Sequence, residues 1–219
     1  MAVSAGEVYY NPPCRQKIVV RTAAADTGGA RSVLDLYVAP GGFAADYHQH
    51  PASEERFTLV RGRLRVSMAD RDVILDRTGQ TLAVPPGTSH RFYSASDDEE
   101  TLAIVEFTNR AARFEVLLLR ELFGLAEEGQ SDEQGKPNLL QTSLTLREFS
   151  DVLRFTGRPW PLQRALYGAV APFARLRGYH ACSPVAGWKP AQRTELEELP
   201  AEVERQVIAR QLEGLQPRV

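Results

Sequence analysis

Gly42-Phe-Ala-Ala-Asp-Tyr-His48-Gln-His50-Pro-Ala-Ser-Glu54-Glu55-Arg-Phe-Thr-Leu-Val-Arg-Gly62 is the stretch on which the reading of this chain turns. Histidine is scarce here, four in 219 residues, and two of the four stand one residue apart in it. In an extended chain alternate side chains share a face, so His48 and His50 project to one side, about 7 Å apart. Imidazole is the commonest protein metal ligand, and two such rings can converge on one ion. Pro51, Ala52 and Ser53 read as a turn. The run from Glu55 to Val60 then reads as a returning strand that brings a carboxylate beside the histidines.

A second segment supplies a third imidazole: Gly79-Gln-Thr-Leu-Ala-Val-Pro85-Pro86-Gly87-Thr-Ser-His90-Arg-Phe-Tyr-Ser94. A short apolar strand meets a Pro-Pro-Gly turn, and a new strand opens at Ser89. Proline presets one turn torsion and Gly87 tolerates positive φ, which places His90 at a fixed strand start.

Together the two segments resemble the paired motifs of the cupin superfamily. The first motif is a glycine, five residues, His-X-His, three or four residues, Glu, six residues and Gly; the second is a glycine, five residues, Pro-X-Gly, two residues and His. Gly42, His48, His50, Glu55 and Gly62 fill the first; Gly79, Pro85, Gly87 and His90 fill the second. One departure is Ser94, where the second pattern ends in Asn. The resemblance covers about residues 30 to 108. It implies a three-histidine, one-carboxylate metal set of His48, His50, Glu55 and His90. Glu54 competes for the carboxylate place because the gap varies, but the six-residue spacing to Gly62 and the shared strand parity with Phe57 and Leu59 favour Glu55. Asp46, on the His48 face, is a candidate acceptor orienting an imidazole.

Strand signals fill the first half. Lys17–Arg21, Arg31–Val38, Val73–Asp76, Thr81–Val84, Ser89–Tyr93 and Thr101–Phe107 are short β-branched or aliphatic runs between turns. In Leu64-Arg-Val66-Ser-Met68 the apolar residues alternate with polar ones. Many short strands predict a sandwich or barrel, and the resemblance selects the jelly-roll barrel, so the fold class is mainly β with a C-terminal α-helical extension. The domains expected are a cupin barrel over 1–108 and a helical extension over 109–219.

Beyond Asn109 the period becomes helical. Phe114, Leu118, Leu122 and Leu125 form one stripe, Glu127 to Asn138 reads as a loop, and Leu146, Phe149, Val152 and Leu153 form another stripe. Pro161 suits a helix start, with Leu162, Leu166, Val170 and Phe173 along one face and Pro172 as a kink. Thr194-Glu-Leu-Glu197 resembles a capping box before a last helix carrying Leu199, Val203, Val207, Ile208 and Leu212 and ending at Gly214. These stripes read as packing faces, and the extension is expected to cap the barrel or build a homodimer face.

Composition excludes some partners. A net charge of -2 gives no electrostatic reason to expect nucleic acid. No stretch reaches the roughly 18 apolar residues of a spanning helix. Leu162 to Leu176, flanked by Trp160 and Arg177, has the form of a helix lying on a membrane, but packing on the barrel or a second subunit is preferred. Cys14 and Cys182 are the only cysteines and neither has CxxC spacing, so a reducing cytoplasmic setting is expected, with a disulfide between them left open. His180 lies outside both motifs and reads as a surface or packing residue.

Three imidazoles and a carboxylate suit a divalent transition metal, Fe, Mn, Ni, Zn or Cu, with positions left for substrate or dioxygen. Phe57, Met68 and Phe92 are expected to line an apolar substrate pocket, which favours a small aromatic or enolisable molecule. The leading expectation is a metal-dependent enzyme of the cupin dioxygenase kind, with Glu55 as a candidate catalytic base. A metal-dependent isomerase or cyclase, and a small-molecule-binding or sensing protein without turnover, are the alternatives.

Overall fold

A computed structural model describes residues 3–44, 46–181 and 192–214, with side chains to residue 210. Ten strands come first: β1 (Glu7–Asn11), β2 (Gln16–Thr22), β3 (Arg31–Val38), β4 (His48–Gln49), β5 (Glu55–Arg61), β6 (Leu64–Met68), β7 (Asp72–Leu75), β8 (Thr81–Val84), β9 (His90–Ser94) and β10 (Thr101–Thr108). Two short strands from later in the chain join them, β11 (Arg154–Phe155) and β12 (Gln192–Arg193). The larger sheet runs β12-β1-β2-β3-β10-β5-β8 and the smaller β11-β4-β9-β6-β7. Pairings in both are antiparallel. This is the mainly-β jelly roll with a helical extension that the motif resemblance implies, within the sandwich-or-barrel class that the strand pattern predicts.

Alternation along the strands builds the interior. Leu34, Leu36 and Val38 of β3, Phe57 and Leu59 of β5 and Ala103, Val105 and Phe107 of β10 face inward, where they meet Leu64, Val66 and Phe92 of the smaller sheet. The intervening residues, Val33 and Tyr37, Val60, and Leu102 and Ile104, face the other way and are also buried. β3 and β10 are therefore covered on both faces, which explains their near-continuous apolar composition. Gly62, at φ +75°, makes the β5–β6 turn, and a Cβ there would stand 2.7 Å from Thr101 Cα.

The second cover is the last helix, α5 (Ala201–Gly214), whose Val203 and Val207 join Val33, Tyr37, Val60, Leu102 and Ile104 in one buried cluster on the outer face of the larger sheet. Beneath it the large sheet buries two carboxylates, each answered by arginine. Asp35 takes both arms of Arg21 at 2.7 Å, and Glu106 pairs with Arg31 and Arg210. Burial pushes the Asp35 carboxyl up, against the pull of Arg21. A capping box at Thr194 is not what starts α5: residues 194–200 are not helical, Thr194 N–H donates to Gly6 O beside β1, and Glu197 binds Arg21 and Arg61. Pairing with the sheet edge outcompetes the local cap.

Three other helical segments follow the barrel. α1 (Ala111–Glu115) continues into a π-helical turn over Val116–Phe123 and α2 (Gly124–Glu127). The wider winding rotates the buried face onto Phe114, Leu117, Leu119 and Phe123, leaving Leu118 and Leu122 partly covered, so the regular stripe expected there shifts. α3 (Leu139–Glu148) is capped by the Asn138 side chain, which accepts from the N–H groups of Leu140 and Gln141. It stops at Glu148. Val152 and Leu153, expected on its face, are instead buried in the connection that leads into β11. α4 (Trp160–Leu176) has Pro161 in its first turn, as expected, but turns the Leu162, Leu166 and Phe173 stripe outward. Its buried residues are Gln163, Tyr167, Ala171 and Ala174; Ala171 and Ala174 cluster with Leu144 of α3, and Tyr167 joins the main core. Among the described residues no helix is long and apolar enough to cross a membrane.

Candidate metal centre

The four motif residues come from both sheets. His48 on β4 is paired with His90, the first residue of β9, and His50 follows two residues later. Glu55 opens β5 in the opposite sheet, in register with Val84 on one side and Phe107 on the other. The turn chemistry fixes these positions: Gly87, at φ +76°, donates its N–H to His50 O at 2.8 Å, which ties the Pro-Pro-Gly turn to the His-X-His strand. Ser53 Oγ donates to Asn109 O at 2.8 Å and pins the connection between His50 and Glu55.

All four side chains are buried, and their ligand atoms lie within 4.8 Å of one another. Ring centroids are 4.5 Å apart for His48 and His90, 5.1 Å for His48 and His50, and 5.5 Å for His50 and His90. Glu55 Oε2 stands 2.7 Å from His90 Nε2 and 3.4 Å from His50 Nε2. Each imidazole uses Nδ1 on a backbone carbonyl: His48 on Asp46 O at 2.9 Å, His50 on Val152 O at 2.8 Å and His90 on Thr88 O at 2.9 Å. A carbonyl only accepts, so Nδ1 carries the proton, and in a neutral ring Nε2 keeps a free lone pair. His50 Nε2 is buried and makes no hydrogen bond.

Charge follows this geometry. Burial and the neighbouring His90 and His50 rings push the His48 pKa down to about 3, so this imidazole stays neutral. Burial opposes charge on Glu55, yet the facing His50 and His90 imidazoles hold its carboxyl below the usual carboxylate range. Burial works to lower His90, but the hydrogen bond and charge of Glu55 carry it above 6.5. The cluster is thus a buried carboxylate with imidazoles on several sides, three nitrogens and an oxygen that fit a first-row divalent ion. These residues can hold a metal.

The remaining sequence candidates separate. Glu54 lies on the outer side, half-buried, and its carboxylate accepts from Arg56. The Asp46 group that orients His48 is the backbone carbonyl, not the carboxylate, which pairs with Lys136. Phe57, Met68 and Phe92 are all buried. Phe57 shares the Glu55 face, Phe92 shares the His90 face, and Met68 stands opposite His90 in the β6–β9 register. Phe57 and Phe92 meet with ring centroids 5.3 Å apart. His180 is exposed. Cys14 is buried with its thiol pushed up to about 11 by burial, and Cys182 lies outside the described residues.

Two features escaped the sequence reading. Phe107 and Phe114 stack at 3.6 Å and set their faces and edges against His50, at 4.7 and 5.7 Å. Phe107 had a signal, since it lies on the inward parity of β10. The Val152 carbonyl had none, because a main-chain acceptor leaves no mark in residue type and lies 102 positions from His50.

Comparison with known proteins agrees with the motif. The family model described as "Cupin domain" matches residues 35–106. The uncharacterized protein YdbB of Bacillus subtilis (strain 168) is 35% identical over 46 residues, which are 21% of this chain and 41% of that protein, so the match spans less than half of the relative's length. KdgF from Halomonas sp. aligns at 17% identity over 44% of this chain and 80% of its own, with a TM-score of 0.38. A predicted oxalate decarboxylase from Thermotoga maritima aligns at 13% identity over 43% of this chain and 80% of its own, with a TM-score of 0.40. The family match, the two ordered motifs and the two-sheet jelly roll agree that residues 35–106 of this chain form a cupin domain.

Proposed function

We propose that this protein is a metal-dependent enzyme that acts on a small aromatic or enolisable molecule, as an oxygenase. The convergence of His48, His50, Glu55 and His90 in one buried cluster is the observation that carries this reading. When bound there, a divalent Fe, Mn, Ni, Zn or Cu ion supplies Lewis acidity and open positions for oxygen donors. The chain's own residues prepare the place. Three carbonyls hold the protons of His48, His50 and His90 on Nδ1, so that Nε2 is the donor atom of each ring. Glu55 keeps its carboxylate form and is the group we assign as base for a substrate proton. Phe107 and Phe114 shield one side of His50 from water, while Phe57, Met68 and Phe92 give the interior an apolar lining suited to a ring and poor for a polyanion.

Oxygen uptake by the purified, metal-analysed protein on a panel of flavonols, catechols and enolisable diketones tests the reading. Uptake matched to product is the expected result. Product formed at the same rate without oxygen places the chemistry with isomerases or cyclases, and a compound retained unchanged by the protein makes it a binding protein.

A further inference from the structure

The apolar side of α4 has no protein to meet among the described residues. Leu162 is 58% exposed, Leu166 39%, Phe173 48% and Leu176 86%, and Ala165, Ala169 and Pro172 are exposed between them. Helical spacing gathers these residues on the side opposite Gln163, Tyr167, Ala171 and Ala174, which face the protein. A helix that buries its polar and small residues and presents its leucines to the outside has the polarity of a surface-binding element.

The sequence around α4 is one-sided in charge. From Val152 to Thr194 the sequence holds no Asp or Glu, and it holds seven cations: Arg154, Arg158, Arg164, Arg175, Arg177 and Arg193, with Lys189. The whole chain is nevertheless at -2. Arg164 and Arg175 are exposed on α4 and Arg177 just past its end, and none pairs with a carboxylate among the described residues.

We infer that α4 lies flat on an anionic lipid surface, with Leu162, Leu166, Phe173 and Leu176 in the acyl boundary and Arg164, Arg175 and Arg177 among the phosphates. A second copy of the chain answers only half of this surface. Two α4 helices packed about a twofold axis would bury the leucines but leave the arginines unanswered, since neither helix carries an acidic residue. An anionic headgroup layer answers both the apolar face and the charge, and arginine stems reach from one to the other. At about 1.5 Å per residue the helix is about 25 Å long, enough to lie on a leaflet as a rod. Docking there reaches the barrel through Gln163, whose amide donates to Phe155 O and Arg158 O. Phe155 is the β11 residue paired with His48.

Co-sedimentation of the full chain with vesicles tests the inference, using phosphatidylcholine alone and phosphatidylcholine with about one-third phosphatidylglycerol, at low and high salt. Binding to the anionic vesicles, weak binding to the neutral ones and release by salt are expected. Leu166→Ser with Phe173→Ser should weaken binding about tenfold or more. Arg164→Gln, Arg175→Gln and Arg177→Gln should each weaken it about fivefold. All these positions are exposed, so melting temperature and metal content serve as controls that the variants are folded. Failure of the folded protein to bind anionic vesicles overturns the inference, as does binding that the variants leave unchanged. Self-association broken by Phe173→Ser, with no lipid binding, assigns the face to a second copy and overturns it too.

Discussion

His90 Nε2 and Glu55 Oε2 meet at 2.7 Å across the interior, one residue from each of the two facing sheets. Without a metal this contact is a buried ion pair, and it sets the protonation of the cluster. In metal-stripped protein His90 should titrate above 6.5, followed by histidine proton resonances. Its folded pKa is raised, so the stability it contributes is fully present below 6.5 and is lost as pH rises through the raised value. Glu55→Gln should drop the His90 pKa below 6.5, since burial is then left as the dominant influence. Glu54→Gln should leave it where it is.

The Phe107–Phe114 stack sets its rings against the His50 imidazole. Phe107→Ala should cost about 3 to 5 kcal/mol in urea unfolding, the usual penalty for emptying a buried aromatic site. It should also weaken metal retention, because the His50 ring gains freedom to leave its Val152 contact. Phe107→Leu should recover most of the stability and much of the retention.

The last helix covers charge as well as apolar surface. Deletion from Pro200 onward exposes the faces of Val33, Tyr37, Leu102 and Ile104 and removes Arg210 from Glu106. With about 1.5 to 3 kcal/mol for each of the buried Val203 and Val207 side chains, the truncated chain should be several kcal/mol less stable in chemical denaturation. Ile208→Ser, on the exposed side of the same helix, should change stability by no more than about 0.5 kcal/mol.

How far the sequence speaks depends on how local the determinant is. Arg31–Val38 and Thr81–Val84 are strands with the bounds their residue pattern implies, and the parity of Glu55 with Phe57 and Leu59 puts it inside while Glu54 pairs with Arg56 outside. These are properties of alternation and turn chemistry, which a short window contains. The helical half resisted because its faces are chosen by distant partners. The Leu162–Phe173 stripe has an ideal period but faces outward, and it is Gln163, Tyr167, Ala171 and Ala174 that meet the protein. Thr194–Glu197 has a cap-like pattern but lies along the sheet edge beside Gly6. The Asp46 and Val152 carbonyls act through the main chain, which residue type does not reveal.

The most direct test is the metal content and coordination of natively purified protein, by elemental analysis and X-ray absorption at the edge of the metal found. The account predicts about one divalent ion per chain, with imidazole nitrogens and a carboxylate oxygen at about 2.0 to 2.2 Å, and loss of the ion in His48→Ala and His90→Ala. A protein that is empty and refuses added Fe, Mn, Ni, Zn and Cu, or one whose metal survives both substitutions, would contradict it.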